Sequence, residues 1–471
     1  MLSNSRLVVF PLTCVVVACL AACSAVPPSS PPEVVVPAQF WQASLFQLAR
    51  PATAPVPDAW WTLFNDPVLN GLQSQLLDHN FNLQAAVAAV DVAQAALGSS
   101  RAAVMPAVGV TGGATRSTAN GTTAPATSYT AQAVLATWEV DLWGRLRAGV
   151  SASEARLDAS RYTLAATRLS LQATLVQTYL AARSSQALQA ILVRSLESYA
   201  QSLAVVENRY AAGIVTSADV AQAKSQWLST QAQLAEARLQ GAQFNHALAL
   251  LVGQAPAQFV LAANPFQDRA GIDLPPLPPI PEQLPSQLLE RRPDIAAAQA
   301  QVAAANAQIG AAEAAFFPAL TLSASAGVRG SELANVFQAP NQLWSLGTAL
   351  AVSLFDGGAR TAAKASAVAT QQQVVATYRQ TVLTAFQEVE DNLAAAGYLA
   401  QAVQAQTQAL VAAQQALAVI QNQYKAGTVA YLNVLTAQNT VLTSERSLLD
   451  ARNRQLAAAN QLLKNIAGRW D

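Results

Sequence analysis

The chain is 471 residues long, 52% hydrophobic and only 11% charged, with Lys+Arg and Asp+Glu balanced at 27 each. The balanced charge argues against a nucleic-acid footprint, and the length points to two units or one elongated assembly rather than one compact domain. The apolar content is mostly alanine, with Gln, Ser and Thr as polar partners, which favours helices packed through small side chains over a bulky core.

The first element reads as an address. Arg6 supplies a positive start, Leu7 to Leu20 an apolar run too short to span a bilayer, and Ala21-Ala22 a small-residue cleavage site. Cys23 follows at once, and Leu20-Ala21-Ala22-Cys23 looks like a bacterial lipobox, whose cysteine is acylated after cleavage. Ser24 resembles the residue that sends lipoproteins to the outer membrane. A signal at 1–22 would carry away Cys14 and Cys19, leaving Cys23 alone, so no intramolecular disulfide is expected and the covalent lipid on Cys23 is the only cofactor-like group. Residues 24–58 are rich in Pro, Ala and Val, and the segment 23–68 reads as an extended tether.

After the tether the chain repeats itself. Val90, Gly98 and Pro106 match Val302, Gly310 and Pro318, each 212 positions on, and the offset continues from Val140, Leu142 and Trp143 to Val352, Leu354 and Phe355. Tyr210-Ala-Ala-Gly213 then matches Tyr424-Lys-Ala-Gly427 at 214. This defines a first repeat at 69–274, a Pro-rich link at 275–292 and a second repeat at 293–471.

Each repeat has one grammar. A helix of about 30 residues is expected to end near Arg101 or Ala314, with Pro106 or Pro318 switching the chain to strands. The strands are expected at about 106–116, 129–143, 318–329 and 344–356. Alternation sets Leu320, Leu322, Ala324, Ala326 and Val328 on one face, and Val134, Ala136, Trp138, Val140 and Leu142 on one face of the returning strand. Leu350, Val352 and Leu354 repeat that pattern. Gly144 and Gly357-Gly358 then release the chain into helices of roughly 100 Å at 1.5 Å per residue. Leucines at heptad spacing, Leu435, Leu442, Leu449, Leu456 and Leu463, imply coiled-coil packing.

The fold class that follows is mainly α with a membrane β part. Four strands cannot close a barrel in lipid, whereas three chains would supply twelve. Gly213 and Gly427 are expected to end the long helices in the left-handed conformation, with Thr216 or Ser217 capping the next helix and Asp219 opposing its dipole. His79 and His246 fit no metal-ligand pattern, and Glu388 with Glu390 read as helix surface charges, so no enzyme chemistry is expected.

Several segments stand in order along the chain: Trp60-Trp61-Thr-Leu-Phe64-Asn-Asp66-Pro67, Trp138-Glu139-Val-Asp141-Leu-Trp143-Gly144-Arg145, Arg292-Pro293-Asp294-Ile295 through Ile309-Gly310 to Phe316-Phe317-Pro318, Leu354-Phe355-Asp356-Gly357-Gly358, and both Tyr-x-x-Gly turns. Together they resemble the outer-membrane factor family of tripartite efflux systems, the TolC- and OprM-like channels, and most closely its acylated, NodT-like branch. The resemblance implies a homotrimer with a twelve-stranded barrel on a long α-helical barrel. It implies a passive exit duct for drugs or other small toxic compounds, served by a periplasmic adaptor and an inner-membrane pump of the resistance-nodulation-division type. A type I protein secretion channel or a non-conducting lipid-anchored scaffold is the alternative. By the same resemblance Gly213, Ile214, Val215, Gly427, Thr428 and Val429 meet the adaptor. The periplasmic gate would involve Asp219, Tyr424, Leu432, Asn433 and Thr436. Relatives often carry carboxylates where this chain has Asn433 and Thr436, so its gate is expected to be uncharged, packed around Leu432 and hydrogen-bonded through Asp219 and Tyr424.

Overall fold

The computed structural model describes residues 51–52, 57–118, 125–266, 274–281 and 292–466. The expected signal at 1–22, Cys23 with its lipid, most of the tether and most of the 275–292 link lie outside the described residues.

The Pro-, Ala- and Val-rich stretch ends at 58, just ahead of the first described helical turn, so the tether stops short of the expected bound at 68. Trp60–Phe64 forms a 3-10 helix with Trp60 and Phe64 fully buried, so the chain is folded well before residue 68. Asp66 then caps helix α1 (Pro67–His79), accepting from the Val68 and Leu69 amides, with Pro67 at the first helical position where its missing N–H costs nothing. Helix α2 (Phe81–Ala102) follows. The expected 30-residue helix is thus two helices, because Asn80 is extended at ψ 120° and its side chain accepts from the Leu83 amide, starting a new helix.

The strands are β1 (Val108–Ser117) and β2 (Ala126–Val140) in the first repeat, and β3 (Ala319–Gly330) and β4 (Gln342–Ala351), after α5 (Pro293–Ala314), in the second. They form one antiparallel sheet in the order β1-β2-β3-β4. Both returning strands stop short of the expected ends. After Val140 the chain turns, and Asp141 accepts from the Leu146 and Arg147 amides to cap the next helix. Asp356 does the same for Gly358 and Arg360 after β4.

Helix α3 (Arg145–Ala211) and its counterpart α6 (Ala359–Lys425) are each 67 residues long. Each is followed by a shorter partner, α4 (Ser217–Leu251) and α7 (Tyr431–Ile466). Starts of α2 and α5 differ by 212, and starts of α3 and α6 by 214, so the two extra residues sit in the 356–358 turn. Of the heptad leucines of α7, Leu442, Leu449, Leu456 and Leu463 are buried.

The chain divides into two units. One holds Ala88–Tyr162 and Ile295–Thr381, and so the sheet with the helix ends next to it. The other holds the described parts of Val35–Val87, Thr163–Asp294 and Val382–Asp471. Two ionic clusters, one buried and one with a buried arginine and half-buried carboxylates, fasten this second unit. Tyr179 donates to Asp66 and accepts from Arg183 Nε at 2.9 Å, all three residues being fully buried. Arg292 forks onto Asp294 at 2.6 and 3.1 Å and reaches Glu388 at 2.9 Å and Asn465 at 3.0 Å, joining the start of α5 to α6 and α7. Burial of such groups is tolerated only because nearly every polar atom finds a partner.

Candidate functional site

Two regions carry the functional reading: the helix turns of the second unit, and the sheet of the first.

Both turns end their long helix in the same way. Gly213 stands at φ +75° and Gly427 at +77°, values that favour glycine. The Gly213 amide donates to Tyr210 O at 2.9 Å and the Ile214 amide to Arg209 O at 2.9 Å; Gly427 and Thr428 repeat this onto Tyr424 O and Gln423 O, each at 3.0 Å. This is the paired 5→2 and 6→1 closure that satisfies the last carbonyls of a helix. The helices that follow start differently. Thr216 and Asp219 form a reciprocal capping box on α4. At the equivalent places of α7 the chain has Ala430, which has no side-chain acceptor, and Asn433.

A small core holds the turns together: Val206, Ala223, Tyr424, Tyr431 and Val434 are buried, with Val215, Val429 and Leu435 packed against them. The Tyr424 and Tyr431 rings meet at 5.8 Å. Arg209 lies over the Tyr424 ring at 4.3 Å and donates to Tyr424 O and Lys425 O at 3.2 and 3.4 Å, so a cation closes the carbonyl end of α6. Burial, with smaller contributions from Tyr424, Tyr199 and Asp219, pushes the Tyr431 phenol up to about 12, so it stays neutral. Burial also raises the Glu445 carboxyl further along α7, against an opposing pull from Arg194.

The sequence-derived gate residues separate into two groups. Tyr424 is buried in the core, but its hydroxyl has no partner among the described residues, and the Asp219 carboxylate is taken by Thr216 in the capping box. Among the described residues of one chain, the side chains of Asp219 and Tyr424 make no hydrogen bond to a neighbouring helix. Leu432 is 52% exposed in the single chain, whereas its neighbours Tyr431 and Val434 turn inward. Leu432, Asn433 and Thr436 stand together on the exposed face of α7, with Thr436 Oγ1 donating back to Leu432 O at 2.9 Å. That face stays free of charge through Thr440. Gly213, Ile214, Gly427 and Thr428 are exposed at the turns, while Val215 and Val429 are half-buried under them. Sequence reasoning missed Tyr431, Val206 and Arg209. Arg209 adjoins the Tyr-x-x-Gly signal, but the carbonyls it binds lie over 200 residues away.

The sheet presents two chemically distinct faces. Register puts Val108, Val110, Ala131, Ala133, Leu135, Trp138, Val140, Leu320, Leu322, Ala324, Leu346 and Leu350 on one face, and Thr111, Gln132, Glu139, Thr321, Ser323, Ser325 and Ser345 on the other. One expectation fails here. Leu135 pairs with Ala324 but Trp138 with Leu322, so a bulge at Ala136–Thr137 inserts a residue, and Val134 lies on the opposite face from Trp138. Neither β1 nor β4 has a partner on its outer edge among the described residues.

Comparison with known proteins agrees with this geometry. The outer membrane efflux protein family matches residues 72–254 and 284–468, one stretch per repeat. The pyoverdine export outer membrane protein OpmQ of Pseudomonas aeruginosa is 33% identical over 384 residues, covering 79% of this chain and 78% of its own. The probable outer membrane lipoprotein SilC of Salmonella typhimurium is 29% identical over 414 residues, covering 88% of each. Among solved structures, the open state of the Neisseria gonorrhoeae MtrE outer membrane channel superposes with a TM-score of 0.83 at 26% identity, over 95% of this chain and 98% of that one. CusC superposes at 0.83 and 28%, over 95% and 100%.

Proposed function

The chain belongs to the outer membrane efflux protein family, and from that premise we propose that three copies form the passive exit duct of a tripartite efflux system. It is an outer-membrane protein. The observation that carries the proposal is the sheet: four strands, one aliphatic face, one hydroxyl-rich face and two open outer edges. Exposed backbone edges are untenable in lipid, so the sheet has to be closed by further copies, and three give an even, twelve-stranded ring with the hydroxyl face lining the lumen.

In this reading drugs or other small toxic compounds cross by diffusion, and energy comes from an inner-membrane pump, of the resistance-nodulation-division type, through a periplasmic adaptor. Acylated Cys23 anchors the chain; support comes from the lipobox-like sequence and from a relative named as a lipoprotein. Gly213, Ile214, Val215, Gly427, Thr428 and Val429 form the adaptor contact, the exposed members touching and the two valines supporting the turns. The proposal assigns the chain no catalytic step.

The gate has two layers. Tyr424, Tyr431 and Arg209 hold each pair of hairpins shut by packing, and Leu432, Asn433 and Thr436 line the constriction. A ring of asparagine and threonine has no net charge and cannot concentrate cations. Planar-bilayer recording tests the reading. Stepwise conductance insensitive to millimolar divalent cations is expected, and Asn433→Asp with Thr436→Asp should introduce block. Strong block of the natural channel would refute the uncharged gate, and no conductance at all would favour a scaffold.

A further inference from the structure

The duplication supplies a template for a contact that one chain leaves unmade. After β2, the Trp143 ring stacks on Phe317 at 5.0 Å and 21°, and its Nε1 donates to Pro318 O at 2.7 Å. The residue following the second strand of repeat one thus covers the turn preceding the first strand of repeat two, where β2 pairs with β3. The same positions recur 212 residues apart: Phe355 stands for Trp143 after β4, and Met105-Pro106 stand for Phe317-Pro318 before β1.

Within one chain these counterparts have no means of meeting, because β4 and β1 are opposite edges of the sheet. Phe355 is 91% exposed, its neighbour Leu354 92%, and Met105 69%. Beside Met105 lies an open cavity of about 580 Å³, lined by Arg101, Ala102, Val104, Arg147 and Val150 among others. It shares Met105, the counterpart of the Phe317 on which Trp143 stacks in the other repeat.

We propose that Phe355 of a second copy fills this cavity, its ring laid on Met105, with β4 of that copy beside β1. The proposal rests on closure of the sheet by further copies and adds where the copies grip. The periplasmic half of the β2–β3 register, Trp138 opposite Leu322 and Val140 opposite Leu320, transposes by 212 to Leu350 opposite Val110 and Val352 opposite Val108 of the neighbour. The chemistry of the cavity fits. Met105 offers a polarizable thioether to the ring, and Arg101, Arg147 and Ser151 rim a floor of Ala102, Val104 and Val150. Phenylalanine has no N–H, so the counterpart of the Trp143–Pro318 hydrogen bond is missing between copies.

Cross-linking in the full chain, extracted from the outer membrane, tests the contact. Met105→Cys combined with Phe355→Cys and a short bis-maleimide should give covalent dimers and trimers on a denaturing gel. Neither single variant should do so, nor Met105→Cys with Leu333→Cys, whose second site lies in the turn between β3 and β4. A native mass of three copies without cross-linking above that control overturns the contact but leaves closure standing; a monomeric mass overturns both. Phe355→Trp provides a second measurement that leaves the fold unperturbed. By restoring a donor toward Pro106 O it should raise the temperature at which the trimer dissociates in SDS, and an unchanged or lower temperature counts against the contact.

Discussion

Tyr179 is a phenol held between a carboxylate and a guanidinium, and every atom of that arrangement is out of water. Its hydroxyl donates to the aspartate that caps α1 and accepts from Arg183, which also reaches Gln186 and Ala263 O. Tyr179→Phe would remove both bonds at once and leave a buried carboxylate and guanidinium underpaired, costing about 2–4 kcal/mol. A fall in thermal midpoint would show this, accompanied by earlier proteolysis near Trp60. Burial first, then the bond to and charge of Asp66, raise the phenol far above its ordinary value. The stability tied to that proton is fully present below the ordinary phenol range and is lost progressively as pH rises from there toward the raised native value. Alkaline destabilisation should therefore be weaker in Tyr179→Phe than in the parent chain. Of this cluster only Asp66 stood out in the sequence, as part of the Trp60 to Pro67 segment that carries the family resemblance. Tyr179 and Arg183 carry no local signal, since their spacing of four is also that of any helix face.

At the scale of elements, the two hairpins are copies that differ in how their second helix begins. Thr216 and Asp219 close a capping box on α4, whereas Ala430 and Asn433 leave the amides at the start of α7 without a side-chain acceptor at the equivalent cap position. The start of α7 is held instead by Tyr431 and Val434 in the small core. Ala430→Thr should supply the missing acceptor and stabilise the first turn of α7 by about 1 kcal/mol. Slower hydrogen exchange of the amides of residues 431–433 is the readout, and Thr216→Ala should speed exchange on α4 by the same logic. If the first turn of α7 loosens when the gate opens, Ala430→Thr should also lower the open fraction in bilayers. The helices themselves were legible because heptads, prolines and left-handed glycines are local. The break at Asn80 and the bulge at Ala136–Thr137 were not, since an extra residue in a strand leaves no mark in composition and moves every later side chain to the other face.

For the whole molecule, the deciding question is which face of the sheet meets lipid; the sequence pattern sorted the two faces of β3 as the register has them but not those of β2, and in the proposed barrel the apolar face turns outward. Leu322 and Ser323 are adjacent residues of β3 on opposite faces, Leu322 aligned with Trp138 and Thr348, Ser323 aligned with Gly347. A lysine on the lipid face at mid-depth costs about 2–4 kcal/mol per chain, falling toward zero at the interfaces. In three copies that cost is multiplied, so Leu322→Lys should sharply lower the yield of SDS-resistant trimer in the outer-membrane fraction. Ser323→Lys faces water in the lumen, and should assemble at near-normal yield while shifting the ion preference of the channel toward anions. The two substitutions add the same charge to the same strand at neighbouring heights, so a difference between them reports only on the face. Equal loss of trimer in both would mean that both faces are buried, the arrangement of a sheet packed against protein instead of a sheet standing in a membrane.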